Sequence, residues 1–162
     1  MVRASASKIV SLDRAAQAAA DARAAGKRVV LANGCFDLLH VGHLRYLDAA
    51  AAIGHLLIVG VNGDESVRRL KGVGRPLLPE SERARLVAAL RSVDFVVIFQ
   101  EDNVRRLIAG IRPDFHAKGT DYTKENVPER DAVIAAGGET AIVGDPKHHN
   151  TRDLIRSIRE RG

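Results

Sequence analysis

Five short runs of apolar and β-branched residues, separated by segments with helical patterning, constrain the fold of this chain more than any other feature. The second run is almost continuously apolar, which is typical of a strand buried on both faces of a sheet. Strands that alternate with helices at this spacing form βαβ units, whose strands are parallel. We therefore predict a five-stranded parallel sheet with helices on both faces, its strands near residues 29–32, 55–61, 95–99, 114–118 and 139–143.

Capping and breaking residues mark the helices between these runs. Ser11 precedes an alanine-rich segment that Gly26 ends, and Pro79 precedes a segment whose first turn carries Glu80 and Glu82. Serine caps, terminal glycines and early acidic residues are typical helix boundaries. The predicted helices cover residues 12–25, 44–50, a short segment that ends near residue 70, and residues 79–90, 103–109, 128–136 and 151–159.

The same pattern predicts one α/β domain over residues 1–162, with a doubly wound, Rossmann-like sheet. No repeat, linker or low-complexity segment divides the chain. Residues 1–10 carry no clear pattern, and we expect them to form a loose arm. Neither the G-x-x-x-x-G-K-[ST] motif nor the G-x-G-x-x-G motif is present, which disfavours a P-loop NTPase and an ordinary dinucleotide-binding protein.

Composition narrows the class of partner. The net charge of +5 raises nucleic acid as a candidate, but the cations are scattered and aromatic residues are only 4% of the chain, so we expect no nucleic-acid partner and a small polyanion instead. The apolar runs are too short to span a membrane and no secretory leader precedes them, so we expect no membrane partner. The single cysteine fits a reducing cytoplasm. We interpret Cys35 as a small packed residue, because no base stands ready to activate it.

The candidate site lies in residues 33–43, which join the first strand to a helix. A strand that turns into a helix presents backbone N–H groups and a positive dipole end at one point, which suits a phosphate. His40 and His43 share one side of the first helical turn, and Gly42 between them leaves room for a ligand. A metal pair is the alternative, but it usually takes the form H-x-x-x-H with a third ligand nearby, so we predict no metal ligand here. The amides that would face the anion belong to Gly34, Cys35 and Phe36.

Polar residues outside this segment supply further candidates. Lys71 begins a loop over residues 71–79 with two glycines and two prolines, and we predict that this mobile loop closes over phosphate. Arg83 allows two interpretations, a surface ion pair and a ligand-binding residue. Asp37 either orients the turn or approaches the ligand or a metal ion carried with it. Buried lysines are rare, so we predict that Lys118 and Asp121 face a ligand and not the core.

The string Gly-Cys-Phe-Asp-x-x-His-x-Gly-His in residues 34–43 resembles the signature of the H-x-G-H nucleotidyltransferases, in their cytidylyltransferase-like branch. Residues 69–76 and 118–122, with Glu82 and Arg83, resemble blocks of bacterial D-glycero-β-D-manno-heptose 1-phosphate adenylyltransferases, which make ADP-heptose. The resemblance implies that His40 and His43 hold the α- and β-phosphates of a nucleoside triphosphate. It also implies that Arg83 contacts nucleotide, and that the acceptor site contains Asp37, Arg75, Lys118, Gly119 and Asp121.

The last helix departs from this family. Its usual Ser/Thr-rich cap is replaced by residues 148–152, in which Asn150 can still cap and Thr151 keeps a hydroxyl, so we predict a nucleotide contact there. His148 and Arg152 supply positive charge, as does Lys147. The departure leaves open which nucleotide is used and whether catalysis is retained.

The resemblance implies an adenylyltransferase that takes ATP, with Mg²⁺ carried on the triphosphate, and a sugar 1-phosphate. A cytidylyltransferase acting on glycerol 3-phosphate and a non-catalytic nucleotide-binding module are the alternatives. We also expect a homo-oligomer, with a dimer favoured.

Overall fold

The computed structural model describes residues 4–146 and 150–162, and its centre is the parallel five-stranded sheet that the apolar runs predict. The strand order is β3-β2-β1-β4-β5, and every pair in the ladder is parallel. After β3 the chain returns to the other side of β1, so the order in which strands are added reverses between β1 and β4. The strands are β1 (Val29–Gly34), β2 (Leu56–Asn62), β3 (Phe95–Phe99), β4 (Phe115–Lys118) and β5 (Glu139–Ile142).

Seven α-helices accompany these strands in the described part of the chain, and they cover both faces as predicted. The helices α2 and α4 pack on one face and α1, α5 and α6 on the other. Alternation along the strands supplies both cores, because Val30 faces the α2 side and Leu31 the α1 side. The helices are α1 (Leu12–Ala24), α2 (Val41–Ala52), α3 (Asp64–Lys71), α4 (Glu80–Ala88), α5 (Arg105–Ile111), α6 (Arg130–Ala135) and α7 (Thr151–Arg161).

Local signals located all seven of these helices, and the predicted ends lie within three residues of the observed ones. The Ser11 side chain accepts a hydrogen bond from the backbone N–H of Arg14, and Gly26 follows α1 with φ of 73°. The largest difference is at α2, which begins three residues before the predicted start. Pro79 is the cap of α4 and lies outside it, and Lys71 is the last residue of α3 and not a loop residue. Within the described residues, no helix is both long and apolar enough to cross a bilayer.

The N-terminal segment is not a loose arm from residue 4 onward. Residues Ser5–Lys8 form a 3₁₀ turn, and the ammonium of Lys8 donates to the carbonyl oxygens of Leu90 (3.1 Å) and Val93 (2.8 Å). The backbone N–H of Val10 then donates to the carbonyl oxygen of Val96 on β3. These partners lie more than 80 residues away in the chain, which is why local patterning did not reveal the attachment.

Candidate functional site

His40 and His43 lie together at the start of α2, beyond the carboxyl end of β1. His40 is the N-cap residue, and its Nδ1 accepts a hydrogen bond from the backbone N–H of Gly42 at 3.1 Å. The Nδ1 of His43 accepts from the backbone N–H of His40 at 3.3 Å, so the two imidazoles cap the helix reciprocally. Their rings stack at a centroid separation of 3.9 Å. The spacing of the two histidines therefore brings them together as predicted.

This capping decides which ring nitrogen carries the proton. A nitrogen that accepts an N–H bond carries no hydrogen, so in each neutral imidazole the proton is on Nε2. Both rings are thereby set as Nε2–H donors at the positive end of α2. Two oriented donors at one helix start form an arrangement suited to oxygens of a phosphate chain.

Phe36 shapes the loop that precedes the histidines. Its backbone adopts φ of 48°, in the left-handed region, and its buried ring contacts the His43 ring edge-to-face at 5.2 Å. A Cβ at Gly34 would lie only 3.1 Å from the Phe36 ring, so a larger residue there would require this ring to shift by a few tenths of an ångström. The loop that holds the predicted backbone amides is therefore held against the core by an aromatic side chain.

Arg83 is neither a surface ion pair nor positioned to touch a nucleotide, because its side chain has no exposed surface. Its guanidinium donates to the carbonyl oxygens of Cys35 (2.7 Å), Asn62 (2.6 Å) and Leu78 (2.9 Å), and to the carboxylate of Asp64 (2.8 Å). Arg83 thus connects the loop of residues 34–40, here called the phosphate loop, to the carboxyl end of β2 and the start of α3. We predicted that Arg83 binds nucleotide, whereas the structure shows a buried side chain whose hydrogen bonds hold the backbone around the site.

Asp37 also supports the site from within. Its carboxylate is almost fully buried and accepts from the Nε of Arg75 (2.6 Å) and from the backbone N–H groups of Leu77 (2.7 Å) and Leu78 (3.1 Å). The loop predicted to be mobile is therefore anchored from Arg75 onward. Asp37 therefore orients the turn, one of the roles predicted for it, and it is too deeply buried to approach the acceptor. Arg75 bonds to it through Nε. Residues 72–74 of this loop are all exposed, and Val73 is fully so.

Lys71 and Cys35 lie near each other at this edge of the sheet. Burial raises the pKa of the Cys35 thiol, even though the positive charges of Lys71 and Arg83 act to lower it. A thiol kept protonated in this way is a poor nucleophile, which agrees with its interpretation as a packed residue. Lys71 itself is exposed at the end of α3, and its charge can reach a ligand in front of the phosphate loop.

Lys118 ends β4 and is mostly buried, contrary to the expectation that a lysine here would stay out of the core. Its ammonium lies 4.5 Å from the centroid of the Tyr122 ring, a cation–π contact that accounts for part of this burial. Gly119 accepts a hydrogen bond from the backbone N–H of Tyr122, which forms the predicted turn, and Asp121 is exposed on it. All three residues therefore lie at the carboxyl end of β4, next to β1.

Asn150 caps α7 as predicted. Its side-chain oxygen accepts from the backbone N–H of Asp153 at 2.8 Å, and Thr151 is the first residue of the helix. Arg152 is exposed on the same first turn. Lys147, His148 and His149 lie outside the described residues.

His116 and Asn33 are a polar pair that sequence reasoning missed. His116 is fully buried on β4, and its Nε2 lies 2.9 Å from Oδ1 of Asn33 at the end of β1. Burial, together with the nearby charge of Lys118, lowers the pKa of His116 to about 3. Nothing in the local pattern marks this pair, because the two residues are 83 positions apart.

The buried imidazole predicts a loss of stability on acidification. His116 has a lowered pKa in the folded chain, whereas an unfolded histidine titrates near 6.5, so the unfolded state takes up the proton first. The free energy of unfolding contributed by this group is complete above about pH 6.5 and falls as the pH drops toward 3. At pH 5 we expect a loss of about 2 kcal/mol.

Urea unfolding of the wild type and of His116→Leu at pH 7.5 and pH 5.0 measures this effect. The difference between the two proteins isolates His116 from the carboxylates that also titrate. An equal pH dependence in both proteins would show that the imidazole does not stay neutral in the fold.

Within the described residues, no group of three or more His, Cys, Asp or Glu side chains lies close enough to hold a metal ion.

Comparison with known proteins agrees with this geometry. A family model described as cytidylyltransferase-like matches residues 31–157. The chain is 48% identical over 155 residues to the bifunctional protein HldE of Pelobacter propionicus, and the matched region covers 96% of this chain and 32% of that protein. It is 50% identical over 141 residues to the bifunctional protein HldE of Aeromonas hydrophila, and this match covers 87% of this chain and 30% of that protein. The chain thus spans about a third of the length of these curated relatives.

A solved structure has the same fold. The lipopolysaccharide core biosynthesis protein from Thermoplasma volcanium superposes with a TM-score of 0.64 at 27% sequence identity, over 76% of this chain and 100% of that one. This likeness confirms the predicted α/β fold with its parallel sheet.

Proposed function

The chain belongs to the cytidylyltransferase-like family, and on that premise we propose that it transfers AMP from ATP to a sugar 1-phosphate. The observation that carries this proposal is the stacked pair His40 and His43, with both Nε2–H groups set as donors at the start of α2. The leading acceptor is D-glycero-β-D-manno-heptose 1-phosphate. Support for it comes from the HldE relatives and from the match to a lipopolysaccharide core biosynthesis protein.

The chemistry needs no protein nucleophile, because the acceptor phosphate is already ionised. An oxygen of that phosphate forms a bond to the α-phosphorus of ATP as the bond to the bridging oxygen of the β-phosphate breaks, and both electrons leave with pyrophosphate. Catalysis then consists of positioning and charge stabilisation. In this proposal His40 and His43 donate to phosphate oxygens whose negative charge grows in the transition state.

The other groups at this edge complete the site. The backbone amides of Gly34, Cys35 and Phe36 and the first turn of α2, with Gly42, face the triphosphate, and Lys71 brings a positive charge from the end of α3. Asn150 and Thr151 begin α7, whose dipole and amides would form a second wall. Mg²⁺ arrives as part of the MgATP substrate. Lys118, Gly119 and Asp121 lie where the second substrate would bind.

The HldE relatives are named bifunctional, and this chain corresponds to about a third of their length. We assign the nucleotidyl-transfer reaction to the part of these relatives that this chain matches. In this proposal the protein acts in the cytoplasm, where ATP is available. Its active form is a homodimer, and light scattering of the purified protein tests this.

Pyrophosphate release across a grid of ATP, CTP, GTP and UTP against heptose 1-phosphate, other sugar 1-phosphates and glycerol 3-phosphate tests the proposal. We expect the ATP and heptose 1-phosphate pair to give the highest kcat/KM. A maximum with CTP and glycerol 3-phosphate would replace it with the cytidylyltransferase alternative. Nucleotide binding without turnover of any acceptor would leave a non-catalytic binding module.

We predict that a protease cuts the chain next to the exposed residues 72–74. Gly72 and Gly74 have φ of 94° and 82°, and no atom lies within 4 Å of a Cβ built on either, so this segment is accessible to a protease. Trypsin is expected to cleave after Lys71, whereas the bond after Arg75 is protected by the following proline. We expect MgATP to slow this cleavage, because Lys71 would close over the triphosphate.

Cleavage after Lys27 provides the internal control. This residue is exposed before the amino end of β1, far from the site at its carboxyl end, so nucleotide should leave its cleavage unchanged. Equal rates at Lys71 with and without MgATP would contradict closure of this segment.

A further inference from the structure

The strands β1 and β4 separate just where the site lies. The ladder between β1 and β2 continues to the pair Gly34 and Val61, but the ladder between β1 and β4 ends at the pair Leu31 and His116. A crevice therefore opens at the carboxyl edge of the sheet, at the point where the strand order reverses, which is where open α/β sheets bind ligands.

Two side chains bridge this crevice from opposite faces. From the α2 face, the hydroxyl of Tyr46 donates to the carbonyl oxygen of Ala117 at 2.7 Å. From the α1 face, His116 contacts the side chain of Asn33 at 2.9 Å. His116 lies opposite Leu31, a member of the α1-side core, and Asn33 lies two residues further along β1 on the same face.

The contact between His116 and Asn33 has a defined polarity. The carboxamide oxygen of Asn33 can only accept, so the Nε2 of His116 carries the hydrogen and donates it. This orients the carboxamide with its NH₂ group turned away from the imidazole. Among the described residues, no protein acceptor is bonded to that NH₂ group, and Asn33 is only half-buried.

The buried imidazole makes this orientation rigid. His116 is enclosed between β1 and β5, where it pairs with Leu31 and Thr140, and it has no exposed surface. A donor held by a fully buried, neutral ring loses little conformational freedom when it binds a ligand, which is the condition for a preorganised site.

The surroundings indicate which substrate this donor meets. Asn33 directly precedes the phosphate loop, so it lies beside the reacting phosphates. His40 and His43 stand on the α2 side of the sheet, whereas Asn33 shares its face with His116 and Lys118 at the end of β4. A neutral donor beside a cation suits a hydroxyl or phosphate oxygen of the second substrate.

We propose that the amide nitrogen of Asn33 donates to an oxygen of the acceptor substrate and that His116 is the positioning residue that orients it. This inference rests on the proposed function. It adds an acceptor-binding residue and explains why a polar ring is buried in β4.

Steady-state kinetics with ATP and heptose 1-phosphate test this inference. Asn33→Ala and His116→Leu are each expected to raise the KM for the acceptor about tenfold, the effect of one lost hydrogen bond, while the KM for ATP stays within twofold. His116→Gln restores a donor near the position of Nε2 and should keep the acceptor KM near that of the wild type. Thr140→Val is the matched control, because it removes a buried hydroxyl opposite His116 without touching Asn33.

The double variant separates positioning from a structural role. If His116 acts through Asn33, adding His116→Leu to Asn33→Ala raises the acceptor KM no further. Additive increases would overturn the positioning role. Thermal melting of every variant accompanies the kinetics, and Asn33→Ala and His116→Gln keep the test valid if His116→Leu does not fold.

Inorganic phosphate, used as a competitive inhibitor, identifies the oxygen. A matching rise in its inhibition constant in Asn33→Ala places the contact on the acceptor phosphate, and an unchanged constant places it on a hydroxyl. An active wild type with an unchanged acceptor KM in Asn33→Ala, or with a raised KM for ATP instead, would overturn the inference alone. A wild type inactive with every acceptor would overturn the proposed function and this inference with it.

Discussion

Replacing His40 or His43 with alanine is expected to lower kcat by about 10²–10³, the usual cost of removing one donor to charge that develops in the transition state. The fold should survive, because both rings are only half-buried and lie at the surface end of α2. Loss of the cap costs about 1 kcal/mol of stability, which a domain of this size tolerates.

Pyrophosphate release at saturating substrates measures this effect. The variant His40→Asn separates loss of the Nε2–H donor from loss of the helix cap. Asparagine is a good N-cap residue, so this variant should keep the melting temperature of the wild type and still lose activity, because it lacks the Nε2–H donor. His55→Ala is the matched control, since His55 is exposed at the opposite edge of the sheet. Release at near wild-type rates by either alanine variant would rule out the proposed mechanism.

Replacing Arg83 with methionine is expected to lower the free energy of unfolding by about 3–5 kcal/mol, because it removes a fully buried charge on which three carbonyl oxygens and a carboxylate depend. In a chain of this length the melting temperature should fall by roughly 10 °C. Methionine keeps similar volume, so the loss reports the missing hydrogen bonds and not a cavity.

Chemical denaturation of Arg83→Met beside Arg85→Met provides the comparison, since Arg85 is exposed two residues along the same helix. Arg83→Lys keeps the charge but cannot reproduce the planar set of donors, so its stability should fall between those of the wild type and Arg83→Met. A change below about 1 kcal/mol in Arg83→Met would show that the four contacts contribute little net stability.

The elements of the fold were predictable because their signals are local. The strand β3 has the predicted bounds, and the Ser11 cap and Gly26 terminator bound α1 as expected. The prediction of a loose N-terminal arm was wrong because Lys8 binds carbonyl oxygens of the loop before β3. That loop lies next to Lys8 only once the sheet has formed.

The candidate site divides in the same way. The pairing of His40 and His43 follows from their spacing on one helical turn, so the sequence alone revealed it. The sequence left the role of Asp37 open and did not reveal that of Arg83, because a charged side chain near a phosphate loop can bind either a ligand or the protein itself. Only their burial shows that they hold the loop from within.

The amino-acid sequence by itself determined the parallel α/β architecture, the phosphate loop and the pair of donors at the start of α2. These depend on periodicity, capping and spacing over a few residues. The tertiary structure alone decided which polar residues face solvent and which support the site, as with Asp37 and Leu77, 40 residues apart, and Asn33 and His116, 83 apart. The physical reason is that strand order sets these contacts, and burial then decides whether a polar group meets a ligand or the protein's own backbone.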